Sequence, residues 1–380
     1  MVGHTALFLP EVFCFFPMLI LFASIPVLNE EMIMLRSILG RRIFCVLFAA
    51  LVLATGALAK TKPLQIYSID VEGGQATLIV SPSGQSLLID TGWPGFDGRD
   101  ANRIVAATKL ARVKQIDYLL ITHYHRDHVG GVTLLADRIR IGTFVDHGPN
   151  QEDSEVTRED YAAYEKLLPK AKHLTLKPGD GLPIRGITVR ALTAAGEHIT
   201  EPLPGAGEAN PYCDAEPKPP ADATENPRSL GTLITYGKFK FLDLGDLTKD
   251  KELELACPNN LIGTVDLFLV THHGFNQSNS KALVWALHPR VAIMNNGAHK
   301  GGSPDAWQIV HDSPGLQDLW QLHFAVDGGK DHNVAEAMIA NIEGGSDGNY
   351  IKVMAQPDGT FTVMNSRNGE KKTYSREIQM

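Results

Sequence analysis

A chain of 380 residues with 44% hydrophobic side chains can bury a sizeable core, and that content excludes a disordered or low-complexity protein. Its formal charge of −8 gives no support to a nucleic-acid binder working through a broad basic surface. The length accommodates two average domains or one large α/β domain.

Residues 1–59 read as a leader with a secretory signal peptide rather than as part of the fold. Met34-Leu-Arg-Ser-Ile-Leu-Gly-Arg-Arg42 is a short basic stretch. An apolar run from Ile43 to Leu58 follows, ending in the small-x-small site Ala57-Leu58-Ala59. Cleavage is expected after Ala59, giving an exported protein, periplasmic or extracellular, with no stable membrane association afterwards. A further apolar stretch, Val12 to Leu28, leaves two readings: a membrane anchor, or residues upstream of a true start near Met34. The second is preferred, because everything a signal peptide needs begins at Met34. Cys14 and Cys45 lie in this leader. Cys213 and Cys257 remain, and either form a disulfide near the loop around Cys213 or stay as two thiols.

The expected domain, residues 60–365, opens with an alternating strand, Leu64 to Asp70. Ala76–Val80 and Ser86–Asp90 read as a hairpin around Ser81-Pro-Ser-Gly84, ending in Asp90-Thr91-Gly92. Gly98 to Val113 has helical apolar spacing, and Ile116-Asp-Tyr-Leu-Leu-Ile121 reads as a buried strand. That strand delivers Thr122-His123-Tyr124-His125-Arg126-Asp127-His128-Val129-Gly130-Gly131. Three imidazoles and a carboxylate within six positions would conflict in an ordinary core, and a divalent metal removes the conflict by taking their lone pairs. His123 and His125 are two apart, so on extended chain they face the same side and can share one ion. Asp127 and His128 fall where the loop becomes a helix, and can face a second ion. The paired glycines are expected to let the backbone turn tightly beneath the cluster.

Beyond the motif, Ile141 to Asp146 reads as a strand ending at His147, and Ser154 caps a helix reaching Leu168. His173 reads as a surface strand residue, and Ile187–Leu192 alternates as another strand. Residues 194–228 break the pattern with seven prolines and few apolar side chains. This insertion is either a lid that shapes the substrate cleft or a decorated surface loop. Strands are expected at Ser229–Tyr236 and Lys240–Leu244, the latter delivering Gly245-Asp246. A buried strand, Val265–Val270, leads into Thr271-His272-His273-Gly274. A helix at 282–287, a strand at 291–294 and a polar loop from Asn295 to Ser303 follow, then a helix begun by Ser303-Pro304. A hairpin around Asp358-Gly359 closes the domain, leaving 366–380 as a tail. His311, His323 and His332 are expected to be structural or surface residues.

The HxHxDH motif resembles the signature of the metallo-β-lactamase superfamily. With Phe241-Leu-Asp-Leu-Gly-Asp246 and Val270-Thr-His-His-Gly274, the stretch from Pro63 to Asn365 resembles the metallo-hydrolase domain of the competence protein ComEC and its soluble relatives. The resemblance implies an α/β fold, the αββα four-layer sandwich. It also implies two divalent ions held by His123, His125, Asp127, His128, Asp246 and a histidine of the pair His272 and His273. Asp90 would steady the metal loop from behind. Asp70-Val-Glu-Gly-Gly-Gln75 is similar to the ComEC-type DVGQGD segment, with Gln75 where that pattern has aspartate.

Superfamily members usually supply one more histidine between HxHxDH and Gly-Asp, and none stands near Glu225-Asn226-Pro227-Arg228-Ser229. His147 is expected to reach into the gap, with His198 or Asn226 as alternatives. Asn226, His299, Lys300 and Ser303 are candidates for substrate contact.

Imidazole-rich donors point to Zn²⁺, with Mn²⁺ as the alternative. Such ions would bring the pKa of a shared water towards neutrality, and the hydroxide so formed would attack a phosphorus or carbonyl centre, with Asp127 orienting or deprotonating it. The expected reaction is hydrolysis of a phosphodiester, small or from the cell envelope; nucleic acid is not favoured by the net charge. The alternatives are a lactam, lactone or thioester hydrolase, and a metal-binding scaffold without catalysis.

Overall fold

The computed structural model describes residues 62–217, 219–342 and 347–376, all within the unit that begins at Thr61. The expected leader, with its expected cleavage site and its two cysteines, lies outside the described residues. No helix among the described residues is long and apolar enough to cross a membrane.

The first half runs β1 (Leu64–Ser68), β2 (Thr77–Val80), β3 (Ser86–Ile89), α1 (Arg99–Leu110), β4 (Ile116–Leu120), α2 (Arg126–Val129), α3 (Val132–Ala136), β5 (Ile141–Asp146), α4 (Glu155–Glu165) and β6 (Lys172–Thr175). The second half runs β7 (Gly181–Leu182), β8 (Thr188–Ala191), the small pair β9 (Thr193–Ala194) and β10 (Glu197–His198), β11 (Thr232–Tyr236), β12 (Phe239–Asp243), α5 (Lys249–Ala256), β13 (Leu267–Leu269), α6 (Lys281–Leu287), β14 (Val291–Met294), α7 (Pro304–His311), β15 (Asp318–His323) and β16 (Ile339–Asn341). Three strands, β17 (Ile351–Ala355), β18 (Phe361–Asn365) and β19 (Lys371–Tyr374), then return to the first half.

The strands form two large sheets, ordered β19-β18-β17-β1-β2-β3-β4-β5-β6 and β16-β15-β14-β13-β12-β11-β8-β7. Leu64 of β1 pairs with Ala355 of β17, which stitches the C-terminal strands onto the N-terminal sheet. Side chains from both sheets share one core, in which Ile79, Val145, Phe241, Ile293, Trp320 and Phe361 are buried together. A second core holds α1, α3 and α4 to the outer face of the first sheet, through Ile104, Leu135 and Tyr164. A third holds α5, α6 and α7 to the outer face of the second, through Leu255, Leu283 and Val310. The layers are therefore helix, sheet, sheet, helix. Central strands such as β2, β3 and β14 are buried along their whole length because both faces are covered, and their sequences are accordingly apolar runs.

Two expectations need correction, and three elements were not expected. The tail beyond 365 contains β19, which pairs in register with β18 (Phe361 opposite Tyr374), so the fold continues to at least Tyr374. Lys249–Ala256 is a helix, and Asp318–His323 and Ile339–Asn341 are buried strands, that the sequence did not announce. Gly130 and Gly131 have φ of −61° and −74°, so no left-handed turn is involved. Their role is close approach: a Cβ on Gly131 would run into the Thr91 carbonyl, and one on Gly130 into the Arg126 carbonyl and the Pro94 ring.

The insertion divides in two. Its first part packs against α5 and α6: Asn210 Nδ2 donates to the carbonyls of Ala256 (2.9 Å) and Ala282 (2.9 Å), and Cys213 is bonded to Cys257. The two-thiol alternative is thus set aside. The chain leaves the insertion beside the metal loop, where Leu230 N donates to Thr122 O at 2.8 Å.

Candidate metal centre

β3, β4 and β5 run parallel in one sheet, and β12, β13 and β14 run parallel in the other. Polar loops collect where parallel strands end, because the strands themselves are apolar and covered. Asp90 follows β3, Thr122 to His128 follow β4, Asp246 follows β12, and His272 and His273 follow β13.

The loop after β4 is laced to its neighbours by backbone bonds. Gln75 N donates to Asp127 O (3.1 Å), Thr91 N donates to His128 O (2.7 Å), and Gly131 N donates to Gly92 O (2.9 Å). Asp90 anchors it from behind. Its carboxylate accepts from Thr122 N (2.8 Å) and Thr122 Oγ1 (2.7 Å), and lies 2.7 Å from His128 Nδ1. With Nδ1 bonded to a carboxylate, the imidazole presents Nε2 to the cluster. The Asp-Thr-Gly at 90–92 is therefore a clamp on the metal loop.

Asp127, His128, Asp246 and His273 bring one donor atom each within 4.8 Å of one another, all buried. His273 Nε2 lies 3.1 Å from Asp127 Oδ2, 3.2 Å from His128 Nε2 and 3.4 Å from Asp246 Oδ1. Asp246 Oδ2 lies 3.1 Å from His128 Nε2, 3.4 Å from His272 Nε2 and 3.9 Å from His123 Nε2. Both histidines of the pair thus face the Asp246 carboxylate, nearest to different oxygens. Each takes a left-handed backbone (φ 54° and 53°), which non-glycine residues rarely adopt and which is concentrated at functional sites. His272 is fixed further by Ser278 Oγ, 3.2 Å from its Nδ1.

The electrostatics fit a cation. Burial disfavours a charged His128, yet Asp246, Asp127 and Asp90 outweigh it and hold the imidazole well above its usual pKa. Burial likewise raises Asp127 and Asp246, but Lys300 and His128 for the first, and His128, His272 and His273 for the second, bring both well below the carboxylate range. Burial pushes His272 down to about 4 and takes His123 well below the usual imidazole value, so both are neutral donors at neutral pH. His123 Nε2 and Asp246 Oδ1 are buried without a hydrogen-bond partner. Orphaned buried atoms carry a cost that a bound cation removes. The donor set therefore fits divalent metal.

The remaining expected residues divide. His125 sits beside His123 (ring centroids 4.7 Å apart), and its Nε2 meets Glu152 Oε2 at 2.8 Å. His147 has a different partner from the one expected: Glu225 Oε2 lies 3.0 Å from its Nε2, and its ring packs 4.8 Å from that of Tyr124. Tyr124 alternates with His123 and His125 along the loop, so its neighbours lie on the other side. His198 pairs with Glu254 at 3.4 Å and is part-exposed, away from the cluster. Asn226 is buried beside Glu225 with its Oδ1 unpartnered. Ser303 precedes α7, and its backbone N donates to Gly274 O. Lys300 reaches in, with Nζ 2.5 Å from Asp127 Oδ2 and 2.8 Å from Gly73 O, and His299 lines the cleft beside it.

Several residues around the centre were given no contact partner from the sequence. Glu152 and Glu225 are linked, since Glu225 N donates to Glu152 Oε2 at 2.8 Å. Gln75 donates to both carboxylate oxygens of Asp243 (3.1 and 2.9 Å). An aspartate at position 75 would set two buried carboxylates against each other there, because burial already pushes Asp243 up to about 7. His323 Nε2 meets Asp70 Oδ1 at 2.7 Å, while Arg103 bonds Asp70 and Glu72, so this second acidic group is knit into an ion-pair network.

Fold and site together define an αββα protein with a buried histidine–carboxylate cluster that fits divalent metal. The model of the Metallo-beta-lactamase superfamily matches residues 69–215, and over that stretch the chain is similar to the superfamily. Its fold is one that binds divalent metals, often two. The chain is similar to ComE operon protein 3 of Bacillus subtilis, 24% identical over 193 residues, covering 49% of this chain and 20% of that protein. It is similar to Recombination protein 2 of Haemophilus influenzae, 25% identical over 289 residues, covering 75% of this chain and 29% of that protein. A UPF0173 protein of Pyrococcus abyssi is 28% identical over 242 residues, covering 62% of this chain and 86% of that protein. The chain thus spans less than a third of the length of the first two relatives.

Proposed function

We propose that this protein is an exported phosphodiesterase that holds two divalent ions, Zn²⁺ by preference of its imidazoles. The observation that carries the reading is Asp246, a buried carboxylate with one oxygen nearest His273 and the other facing His128, His272 and His123. In this assignment Asp127, His128 and His273 would hold one ion and His123, His125 and His272 the other, with the Asp246 carboxylate completing the donor set. His272 thereby takes the place of the histidine absent near Asn226. When bound, such ions supply Lewis acidity and lower the pKa of water towards neutrality.

The chain's own residues do the rest. Asp90 fixes the tautomer and orientation of His128 through its 2.7 Å contact with Nδ1. Asp127 is placed to accept a proton from the attacking water or to orient it. Lys300, 28% exposed and at the edge of the cluster, is placed to take a negatively charged substrate oxygen. The Cys213–Cys257 disulfide supports the exported location, since such bonds persist in oxidising compartments.

The test is turnover of bis-p-nitrophenyl phosphate against a chromogenic cephalosporin by the metal-reconstituted chain. Hydrolysis of the phosphodiester, lost in Asp127→Ala, is the expected result. Preferential hydrolysis of the cephalosporin would replace the proposed substrate class.

A further inference from the structure

Beside the metal loop lies a cleft of about 300 Å³ lined by Glu72, Trp93, Phe96, Arg99, Ala298, His299 and Lys300. Two aromatic rings and two cations line it, with the Glu72 carboxylate beside them. Lys300 connects the cleft to the cluster: its Nζ lies 2.5 Å from Asp127 Oδ2 and 5.2 Å from the centre of the Trp93 ring. Trp93 is packed close to the metal loop, since a Cβ on Gly74 would meet both Asp127 and the Trp93 indole nitrogen.

Another wall is Phe96. It is 64% exposed, the most exposed large hydrophobic side chain among the described residues. Its backbone is left-handed (φ 46°), as is that of Asp97 (φ 52°), between two glycines with φ of 78° and 75°. A non-glycine residue in that region is strained, and strain of this kind is kept where a site needs it. The loop is held in place from behind: Trp93 N donates to Asp100 Oδ2 at 2.8 Å, and Arg99 Nε meets Asp100 Oδ1 at 2.6 Å. The Arg99 guanidinium lies 4.5 Å from the centre of the Phe96 ring. A strained turn thus presents an aromatic ring and a cation to the space next to the metal loop.

A flat aromatic group gains by stacking on such rings, and a phosphate beside it gains from Lys300 and Arg99. A volume near 300 Å³ sits at the lower end of ligand clefts and suits one such unit, not a duplex. We propose that this cleft is a nucleotide subsite, taking the base against Trp93 and Phe96 and the phosphate at Lys300 and Arg99. This deepens the phosphodiesterase reading and rests on it for the identity of the scissile bond.

The test is calorimetric titration of the full chain, reconstituted with metal, with AMP, phenyl phosphate and ribose 5-phosphate. AMP is expected to bind about tenfold tighter than ribose 5-phosphate, as base–aromatic stacking provides. Phe96→Ala should remove most of that preference while leaving ribose 5-phosphate affinity within about twofold, and Phe96→Tyr should restore it. Because Phe96 is exposed, its replacement leaves the core intact. Equal binding of AMP and ribose 5-phosphate, or a preference that survives Phe96→Ala, overturns the subsite. Phenyl phosphate binding as tightly as AMP overturns the nucleotide assignment in favour of a simple aryl ester. Turnover of bis-p-nitrophenyl phosphate by the unmodified chain is measured in parallel. Its absence, with AMP discrimination intact, would count against the reaction and not against the cleft.

Discussion

Replacing Asp90 by asparagine isolates what the buried carboxylate behind the metal loop contributes. Asp90 is fully buried in a left-handed backbone (φ 60°) that asparagine also tolerates, so the change leaves the chain path undisturbed. The carboxylate faces three donors: Thr122 N at 2.8 Å, Thr122 Oγ1 at 2.7 Å and His128 Nδ1 at 2.7 Å. An asparagine has one acceptor oxygen, and its NH₂ group must then face at least one of those donors. Removing the charge also withdraws one of the three carboxylates that hold His128 in place. Loss of a carboxylate behind a ligating histidine typically costs about 10- to 100-fold in metal affinity, or about 1.4 to 2.8 kcal/mol. Competition titration against a chromophoric chelator measures the affinity, and urea unfolding of the apo chain measures stability separately. Asp90→Asn is expected to bind metal at least about tenfold more weakly. Asp90→Ala should lose more stability, because alanine does not tolerate the positive φ. An Asp90→Asn chain that binds metal within about twofold of the parent would refute the reasoning, since the His128–Asp90 contact would then be irrelevant to the ion.

Gly131→Ala is expected to destabilise the fold by about 1–3 kcal/mol, because its methyl group meets the Thr91 carbonyl; an unchanged urea midpoint would contradict this. Reducing the Cys213–Cys257 bond opens a loop with a sequence separation of 44 residues, and should cost up to about 4 kcal/mol in the urea transition. Burial raises Glu252 to about 7 although it accepts from Asn279 N and Ser280 N. The folded state therefore holds a proton that the unfolded chain has released, and stability should fall by about 3 kcal/mol as pH rises from 4.5 to 7. Unfolding free energies measured across that range test it, with Glu252→Gln expected to flatten the slope.

What could be read in the chain beforehand was what local pattern encodes. The apolar runs before Thr122 and Thr271 and the hairpin before Asp246 place their ligands at strand ends, and the two-residue spacing of His123 and His125 gives their common side. What could not be read depends on contacts between distant segments. The choice between His272 and His273 dissolves only when both are seen to face Asp246, through a doubly left-handed backbone that no periodicity signals. His147 looked available because it ends β5, but Glu225, 78 residues away, claims its Nε2. Asp318-Leu-Trp-Gln-Leu-His323 has no clear alternation because Gln321 and His323 are buried polar groups bonded across the fold, His323 to Asp70. The same holds for β19, whose exposed lysines disguise a strand that pairs on one edge only.

The most direct test of the central claim is metal content by mass spectrometry of the purified chain, taken with bis-p-nitrophenyl phosphate turnover on the same sample and on His272→Ala. Two ions per chain with phosphodiester turnover are expected, falling to one ion and little turnover in His272→Ala. A parent chain that holds one ion or none and hydrolyses nothing, or a His272→Ala chain that keeps both ions, would contradict the binuclear assignment.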